Sequence, residues 1–143
     1  MTSFLASWVP AGSLHHIGYI VASIKEAAEN FAQSIGAKWD GVVIHDPLQE
    51  VNVSFMQSRA PNDPLIELVE PALPNSPVSN FLEHGGGLHH LCYQVDSLER
   101  QLDLSRKARD FIAKSPLPAA AFGGRRIAWV YTKSGLLVEY LER

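Results

Sequence analysis

The sequence predicts an α+β fold in which two tandem βαβββ modules form curled sheets around one shared cavity. An eight-residue apolar stretch occurs twice, at residues 14–21 and 88–95, with a histidine doublet at the same place in each copy. A second stretch, at residues 65–70, has its counterpart at residues 137–142, with nearly the same offset. Each histidine stretch is followed by a helix pattern. Two copies of one unit are too few for a solenoid, so we expect a pair of modules within one domain, residues 1–143.

The first module covers about residues 14–71. Its first strand is predicted at residues 14–22, because β-branched and aromatic side chains alternate there. The helix that follows is predicted from a capping box, Ser23 to Glu26, and from an apolar stripe that runs to Ile35, with Gly36 placed to end the helix. Three further strands are predicted at residues 38–44, 51–57 and 65–70.

A proline-rich linker and a short helix, residues 72–87, lead to the second module at about residues 88–142. This module repeats the order with a strand at 88–95, a helix from the capping box at 96–99 to about 108, and three strands. We expect those strands at residues 111–114, 126–131 and 136–141, with a loop at 115–124. Residues 1–13 are expected to form an irregular arm that packs Trp8 and Val9 on the body.

The amino-acid composition argues against several classes of protein. The 12 basic and 15 acidic residues give a net charge of −3 without a basic patch, which argues against a nucleic-acid partner. No segment reaches the roughly 20 apolar residues of a membrane span, and the N-terminus lacks the pattern of a signal peptide. The only cysteine, Cys92, cannot form an internal disulfide. A cytoplasmic location is therefore expected.

Four residues at repeated positions are the candidates for a functional site. His16 and His90 each end a doublet in the first strand of a module, and 90 − 16 = 74; Glu67 and Glu139 each lie in a last strand, and 139 − 67 = 72. A glutamate in the middle of an apolar strand is costly to bury without a partner. Two imidazoles and two carboxylates can satisfy one another through one divalent cation, such as Ni²⁺, Co²⁺, Mn²⁺, Fe²⁺ or Zn²⁺.

Structural roles for the same residues are the alternative. A single histidine or glutamate in a strand is usually a core or surface residue, and a duplicated fold can keep such a pattern for packing alone. The repetition favours the metal site. By strand alternation, His15 and His89 are expected on the opposite face from the ligands, while Glu70 and Glu142 are expected at the solvated rim.

Five segments resemble the vicinal oxygen chelate superfamily, which includes glyoxalases, bleomycin resistance proteins and dioxygenases. The segments are residues 16–21, 66–71, 76–82, 87–91 and 137–141. The branch they resemble most is methylmalonyl-CoA epimerase, followed by glyoxalase I. The Ser-Pro-x-x-x-Phe-Leu segment at 76–82, which precedes Gly-Leu-His-His, favours the epimerase branch.

The resemblance implies one divalent metal ion held by His16, Glu67, His90 and Glu139. It further implies proton transfer through a metal-stabilised enolate of an acyl-thioester or related carbonyl compound. We expect Glu139 to be the principal base and Glu67 its partner. The substrate would be a small molecule, either an acyl-CoA or a glutathione adduct, and we expect a homodimer. The chain departs from the epimerases at the substrate end, because it has Asn-Val-Ser at 52–54 where some of them place a second acidic residue.

Three other functions remain open from the sequence. A glyoxalase I-type lactoylglutathione lyase would use the same four ligands. A non-catalytic binding protein of the antibiotic-resistance type shares the fold but usually lacks the ligand set. An extradiol dioxygenase would use two histidines and one carboxylate around Fe²⁺, so the fourth candidate ligand argues against it.

Overall fold

A computed structural model describes residues 12–143 of the chain. The predicted arm, with Trp8 and Val9, lies outside these residues apart from its last two positions. Of the helices in the described part, none has the length and apolar composition needed to cross a bilayer.

The described chain contains nine strands, three α-helices and one 3₁₀ turn. The strands are β1 (Ser13–Ile20), β2 (Lys38–Trp39), β3 (Ile44–Asp46), β4 (Val51–Gln57), β5 (Leu65–Pro71), β6 (Gly87–Val95), β7 (Phe111–Pro118), β8 (Arg126–Tyr131) and β9 (Leu137–Glu142). The helices are α1 (Ile24–Ile35), α2 (Ser79–Glu83) and α3 (Leu98–Lys107), and the 3₁₀ turn is Ala120–Phe122.

The nine strands form one curled, unclosed sheet with the order β2-β4-β5-β1-β6-β9-β8-β7, and β3 pairs with β4 beside β2. The strands of each half are adjacent, and the antiparallel pair β1–β6 joins the two halves at the centre. Each histidine strand also lies parallel to its own glutamate strand, β1 to β5 and β6 to β9. The predicted α+β class is confirmed, and the two expected curled sheets are joined edge to edge.

The first long helix begins at its predicted cap, Ser23, whereas the second is capped by Ser97, one residue after the start of the predicted box at 96–99. The hydroxyl of Ser23 accepts a hydrogen bond from the backbone N–H of Glu26, and Ser97 does the same for Arg100. Gly36 ends α1 in the left-handed conformation, with φ 71°. These side-chain caps satisfy backbone groups that have no partner within the helix.

Glu70 and Glu142 add a second contact at the same helix ends. A carboxylate oxygen of Glu70 accepts a hydrogen bond of 2.8 Å from the N–H of Ile24, and one of Glu142 accepts a bond of 3.0 Å from Leu98. A negative charge at a helix N-terminus is stabilising because it faces unpaired N–H groups and the positive end of the helix dipole. Both glutamates are half-buried, and each caps a helix, a role that was not predicted.

The predicted strand at 38–44 is interrupted. Asp40 accepts a hydrogen bond from the N–H of Val42 through its side chain, and Gly41 has a positive φ of 81°. Such an Asx turn takes the backbone out of the extended conformation. Within this segment, pairing with β4 is confined to β2 and β3, on either side of the turn.

The predicted loop at 115–124 was also partly wrong. Strand β7 continues to Pro118, with register shifts on both sides of Lys114. It can contain Pro116 and Pro118 because it is an edge strand, where one side needs no ladder hydrogen bonds. The 3₁₀ turn follows, and it ends at Gly123 with φ 64°.

The core lies on both faces of the sheet. Beneath α1 and α3, apolar clusters centre on Ile24 and Met56 in the first half and on Leu98 and Val130 in the second. The concave face carries separate clusters, one of which contains Ile20, Val51, Val53, Val69 and Val78. The helices therefore cover the outer face, and the concave face is left to enclose a cavity.

Candidate metal centre

The four candidate residues lie in two rows across the central strands. In one row, Gly18 of β1 has Glu67 as its neighbour on β5 and His90 as its neighbour on β6. In the other row, Cys92 of β6 lies between His16 and Glu139. In each row, the histidine comes from one half of the chain and the glutamate comes from the other half. The β1–β6 pairing brings the two halves of the site together.

We call His16, Glu67, His90 and Glu139 the His–Glu cluster. The Nε2 atoms of the two histidines lie 3.3 Å apart. The Oε1 atom of Glu67 lies 3.4 Å from His16 Nε2 and 3.3 Å from His90 Nε2, and Oε1 of Glu139 lies 3.1 and 3.6 Å from the same two nitrogens. All four come from one chain, and their ligand atoms lie within 4.8 Å of one another.

The His–Glu cluster is almost fully removed from solvent, with each residue at most 5% exposed. Burial by itself disfavours charge on all four side chains. For His16 and His90, burial acts to lower the pKa, but the carboxylates of Glu67 and Glu139 outweigh it and raise the pKa on balance. For Glu67 and Glu139, burial acts to raise the pKa, and the two histidines lower it on balance. Each charge in the cluster depends on its partners.

The donor set fits a divalent cation. Around an ion with bonds of about 2.1 Å, neighbouring donor atoms are about 3.0 Å apart in an octahedron and about 3.4 Å apart in a tetrahedron. The five separations given above span 3.1 to 3.6 Å. Glu139 Oε1 is buried and makes no well-aligned hydrogen bond among the described residues, although His16 Nε2 lies 3.1 Å away; a cation between the four side chains would satisfy it.

The first histidine of each doublet is the extra residue of a β-bulge. Leu14 pairs with Tyr93 and His16 with Cys92, so His15 has no cross-strand partner. The pairs that flank His89 show the same irregularity, because Gly18 pairs with His90 and Tyr19 with Leu88. A bulge turns a side chain away from regular alternation.

As a result, the expectation that His15 and His89 point to the opposite face was wrong. Nδ1 of His15 lies 2.8 Å from Nδ1 of His16, and Nδ1 of His89 lies 2.8 Å from Nδ1 of His90. His89 also lines the cavity. Burial lowers the pKa of both residues, to about 4 for His89, so both are neutral at pH 7.

A second group of possible ligands, His15, His16 and Cys92, has different geometry. The two ring nitrogens, at 2.8 Å, are closer than neighbouring ligands of one ion and have the separation of a hydrogen bond. Burial raises the pKa of the Cys92 thiol to about 12, so it is protonated at neutral pH. A buried structural role for Cys92 agrees with this setting.

Two aromatic residues that were not predicted flank the cluster. Phe55 pairs with Glu67 and Trp129 pairs with Glu139, so each extends one of the rows by a strand. Phe55 meets His16 edge-on at 5.5 Å between ring centroids, and Trp129 meets His90 at 4.7 Å. The repeat could have predicted these two aromatic residues, because Phe55 and Trp129 are 74 residues apart, the same offset as His16 and His90.

A cavity of about 230 Å³ lies over the cluster, and Glu67, His90 and Glu139 form part of its wall. On its first-half side, the apolar residues Ile20, Val51, Val53 and Val69 lie beside the polar side chains of Asp46 and Gln49. Of the lysines and arginines in residues 12–143, Lys114 is the one that lines it.

A series of hydrogen bonds links residues of the first half in the cavity wall to residues of the second half. The buried carboxylate of Asp46 accepts hydrogen bonds from the Gln49 side-chain amide at 2.9 Å and from the N–H of Ala120 at 3.3 Å. The Gln49 side-chain oxygen in turn accepts a bond of 3.2 Å from the indole N–H of Trp129. The ring that packs against His90 is therefore held from the other half.

The sequence profile of the glyoxalase/bleomycin resistance protein/dioxygenase superfamily matches residues 15–129, which carry three of the four cluster residues. The chain belongs to this superfamily. The resemblance found in the sequence is thereby confirmed.

Several proteins are similar to most of the chain. The uncharacterised protein YqjC of Bacillus subtilis is 35% identical over 136 residues, which cover 90% of this chain and 91% of YqjC. The ethylmalonyl-CoA/methylmalonyl-CoA epimerase of Cereibacter sphaeroides is 31% identical over 132 residues, covering 90% and 96% of the two chains. The crystal structure of hypothetical protein BH1468 from Bacillus halodurans has a TM-score of 0.79 at 29% identity, covering 93% and 95%.

Proposed function

We propose that the protein is a metal-dependent epimerase that acts on an acyl-CoA thioester, at the carbon next to the thioester carbonyl. The observation that carries the proposal is the convergence of two buried carboxylates, Glu67 and Glu139, from equivalent strands of the two halves on the wall of one cavity. The 31% identity to ethylmalonyl-CoA/methylmalonyl-CoA epimerase over 90% of the chain supports this reaction class.

The residues that would hold the metal are His16, Glu67, His90 and Glu139, each with one donor atom. The donor set suits Co²⁺, Ni²⁺, Mn²⁺, Zn²⁺ or Fe²⁺, because it combines two imidazole nitrogens with two carboxylate oxygens. When bound, the ion would supply Lewis-acid stabilisation of the negative charge that develops on the substrate carbonyl oxygen.

Proton transfer falls to the two glutamates. An epimerase must remove a proton from one face of a carbon and return one to the other face, which requires an acid–base group on each side. We assign Glu139 as the principal base and Glu67 as its partner. A carboxylate has two oxygens, so one can face a cation while the other exchanges a proton. Because both side chains are nearly inaccessible to water, the proton is kept between the substrate and these groups.

The rest of the cavity suits a small branched acyl group. Its volume of about 230 Å³ is below the roughly 300–1,000 Å³ of pockets that bury drug-sized ligands. The acyl portion would therefore enter, and the nucleotide end of coenzyme A would remain outside. Apolar residues such as Val53 and Val69 would contact an alkyl substituent, and Lys114 would pair with an anionic group of the substrate.

Deuterium wash-in tests the proposal. Metal-loaded protein in D₂O should exchange the α-proton of methylmalonyl-CoA, and Glu139→Gln should slow the exchange at least 100-fold, the order expected when a general base is lost. His84→Ala, at an exposed residue outside the cavity, is the matched control and should exchange normally. Absence of exchange, together with turnover of the methylglyoxal–glutathione hemithioacetal, would move the assignment to a glyoxalase I-type lyase. The homodimer, the cytoplasmic location and the single-domain organisation stay predictions.

A further inference from the structure

His15 and His89 each contact a histidine of the His–Glu cluster without belonging to it. The contact joins the same atoms in both halves, Nδ1 to Nδ1, at 2.8 Å. The two rings of each doublet are nearly perpendicular, at 81° and 85°. Consecutive residues of a regular strand point to opposite faces and could not meet in this way. The bulges at His15 and His89 thus produce the same Nδ1–Nδ1 contact in both halves of the chain.

A hydrogen bond between two ring nitrogens determines the protonation of both rings. One nitrogen must donate a proton and the other must offer a lone pair. If His16 Nε2 turns its lone pair to a cation, its proton lies on Nδ1, so Nδ1 of His15 must be the acceptor. The same reasoning makes His89 the acceptor for His90. Metal-binding histidines generally donate their other ring N–H to an acceptor that orients the ring.

We propose that His15 and His89 are positioning residues, each of which accepts the Nδ1 proton of the following histidine and thereby orients that ring's Nε2 toward a shared cation. This inference rests on the metal assignment made under the proposed function. It adds two residues to the site, and it gives the histidine doublets of both halves one purpose.

The surroundings of both residues favour a fixed acceptor. His15 meets Phe122 edge-on, with ring centroids 5.6 Å apart, and it meets Phe55 in the same way at 6.1 Å. His89 meets Phe81 at 4.8 Å and Trp129 at 6.3 Å. Each ring is therefore held between two aromatic side chains, which limit its rotation and the access of competing water.

Metal affinity distinguishes an acceptor from a space-filling ring. His15→Phe and His89→Phe keep an aromatic ring but remove the acceptor, whereas His15→Asn and His89→Asn place an amide oxygen near the former Nδ1 position. We expect the Phe variants to bind Zn²⁺ about 10–100-fold more weakly in a chelator competition assay. The Asn variants should recover most of the wild-type affinity. His84→Phe, an identical substitution at an exposed histidine, should have no effect.

Nitrogen NMR of the zinc-loaded wild type provides a test that needs no variant to fold. We expect His16 and His90 to carry a proton on Nδ1, and His15 and His89 to be neutral with the proton on Nε2. His15 or His89 protonated on Nδ1 would overturn the inference, as would Phe variants that bind Zn²⁺ with wild-type affinity. Wild-type protein that binds no divalent ion would overturn the metal assignment itself, and with it this inference.

Discussion

Gly18 lies opposite His90 on the neighbouring strand, and the imidazole of His90 fills the space that a side chain at residue 18 would need. A Cβ atom built on Gly18 would stand 2.0 Å from Cε1 and 2.4 Å from Nε2 of the ring. Atoms this close cannot coexist, and Gly18 is not among the residues with positive φ. Glycine is needed here for space and not for backbone conformation.

Gly18→Ala should therefore displace the ring of His90 and remove one ligand from the site. We expect metal affinity to fall at least 10-fold, with a loss of about 1–3 kcal/mol in the free energy of unfolding because an already filled space is overpacked. Isothermal titration with Zn²⁺ and urea unfolding would measure the two effects. Gly41→Ala is the control, because nothing lies within 4 Å of a Cβ there. Its left-handed φ makes it destabilising, yet metal affinity should be unchanged. Equal affinity in both variants would contradict the packing argument.

The two glutamates in the last strand of each half, β5 and β9, serve different purposes. Glu67 belongs to the His–Glu cluster, whereas Glu70, three residues later, accepts a hydrogen bond at the start of α1. Glu70→Ala should lower the free energy of unfolding by about 1 kcal/mol, as for other lost helix caps, and leave metal affinity intact. Glu29→Ala, at an exposed position of α1, should change stability by less than about 0.5 kcal/mol. A loss of metal in Glu70→Ala would show that the two roles are not separate.

The repeat made much of this structure predictable. Capping residues located both long helices, and the 74-residue offset brought out His16 and His90. The 72-residue offset and a position in the middle of an apolar strand singled out Glu67 and Glu139. The structure brings these four together in one chain. Helix caps are local and the site residues are repeated, so both can be predicted without knowledge of the tertiary fold.

Other features depend on strand register and on contacts between distant residues, which no local sequence pattern reveals. The bulges at His15 and His89 arise from the register of β1 on β6, and strict alternation places both residues on the wrong face. The contacts of Glu70 and Glu142 with helix ends span 46 and 44 residues. The interrupted strand before β4 was missed for a different reason, since Asp40-Gly41 is a turn signal that lay inside an apolar run.

Gln49 holds Trp129 against His90 from the other half of the chain. Gln49→Leu keeps the size of the side chain but removes the acceptor of the indole N–H and the donor to Asp46. We expect the free energy of unfolding to fall by about 1–3 kcal/mol, the cost of leaving buried polar groups unpaired. The indole fluorescence should shift as Trp129 moves. Gln57→Leu, which removes an exposed bond to Ala60, is the matched control. Identical spectra and stability in wild type and Gln49→Leu would contradict this role.

The thiol of Cys92 should not react with alkylating reagents in the folded protein. Its thiol is fully buried, and burial raises its pKa to about 12. At pH 8 the thiol is therefore protonated, and the reactive thiolate is nearly absent. Iodoacetamide should leave native protein unmodified at pH 8 and add one label per chain in denaturant, as read by intact mass. Rapid labelling of the native protein would contradict the described burial.

The central claim is that one divalent ion binds where the two halves of the chain meet. Metal analysis of the purified protein and of variants at the His–Glu cluster tests it most directly. We predict about one ion per chain in the wild type and in His84→Ala, and almost none in Glu67→Ala and His90→Ala, because each removes a ligand and leaves the remaining charges unbalanced. Full metal occupancy in both cluster variants would contradict the account.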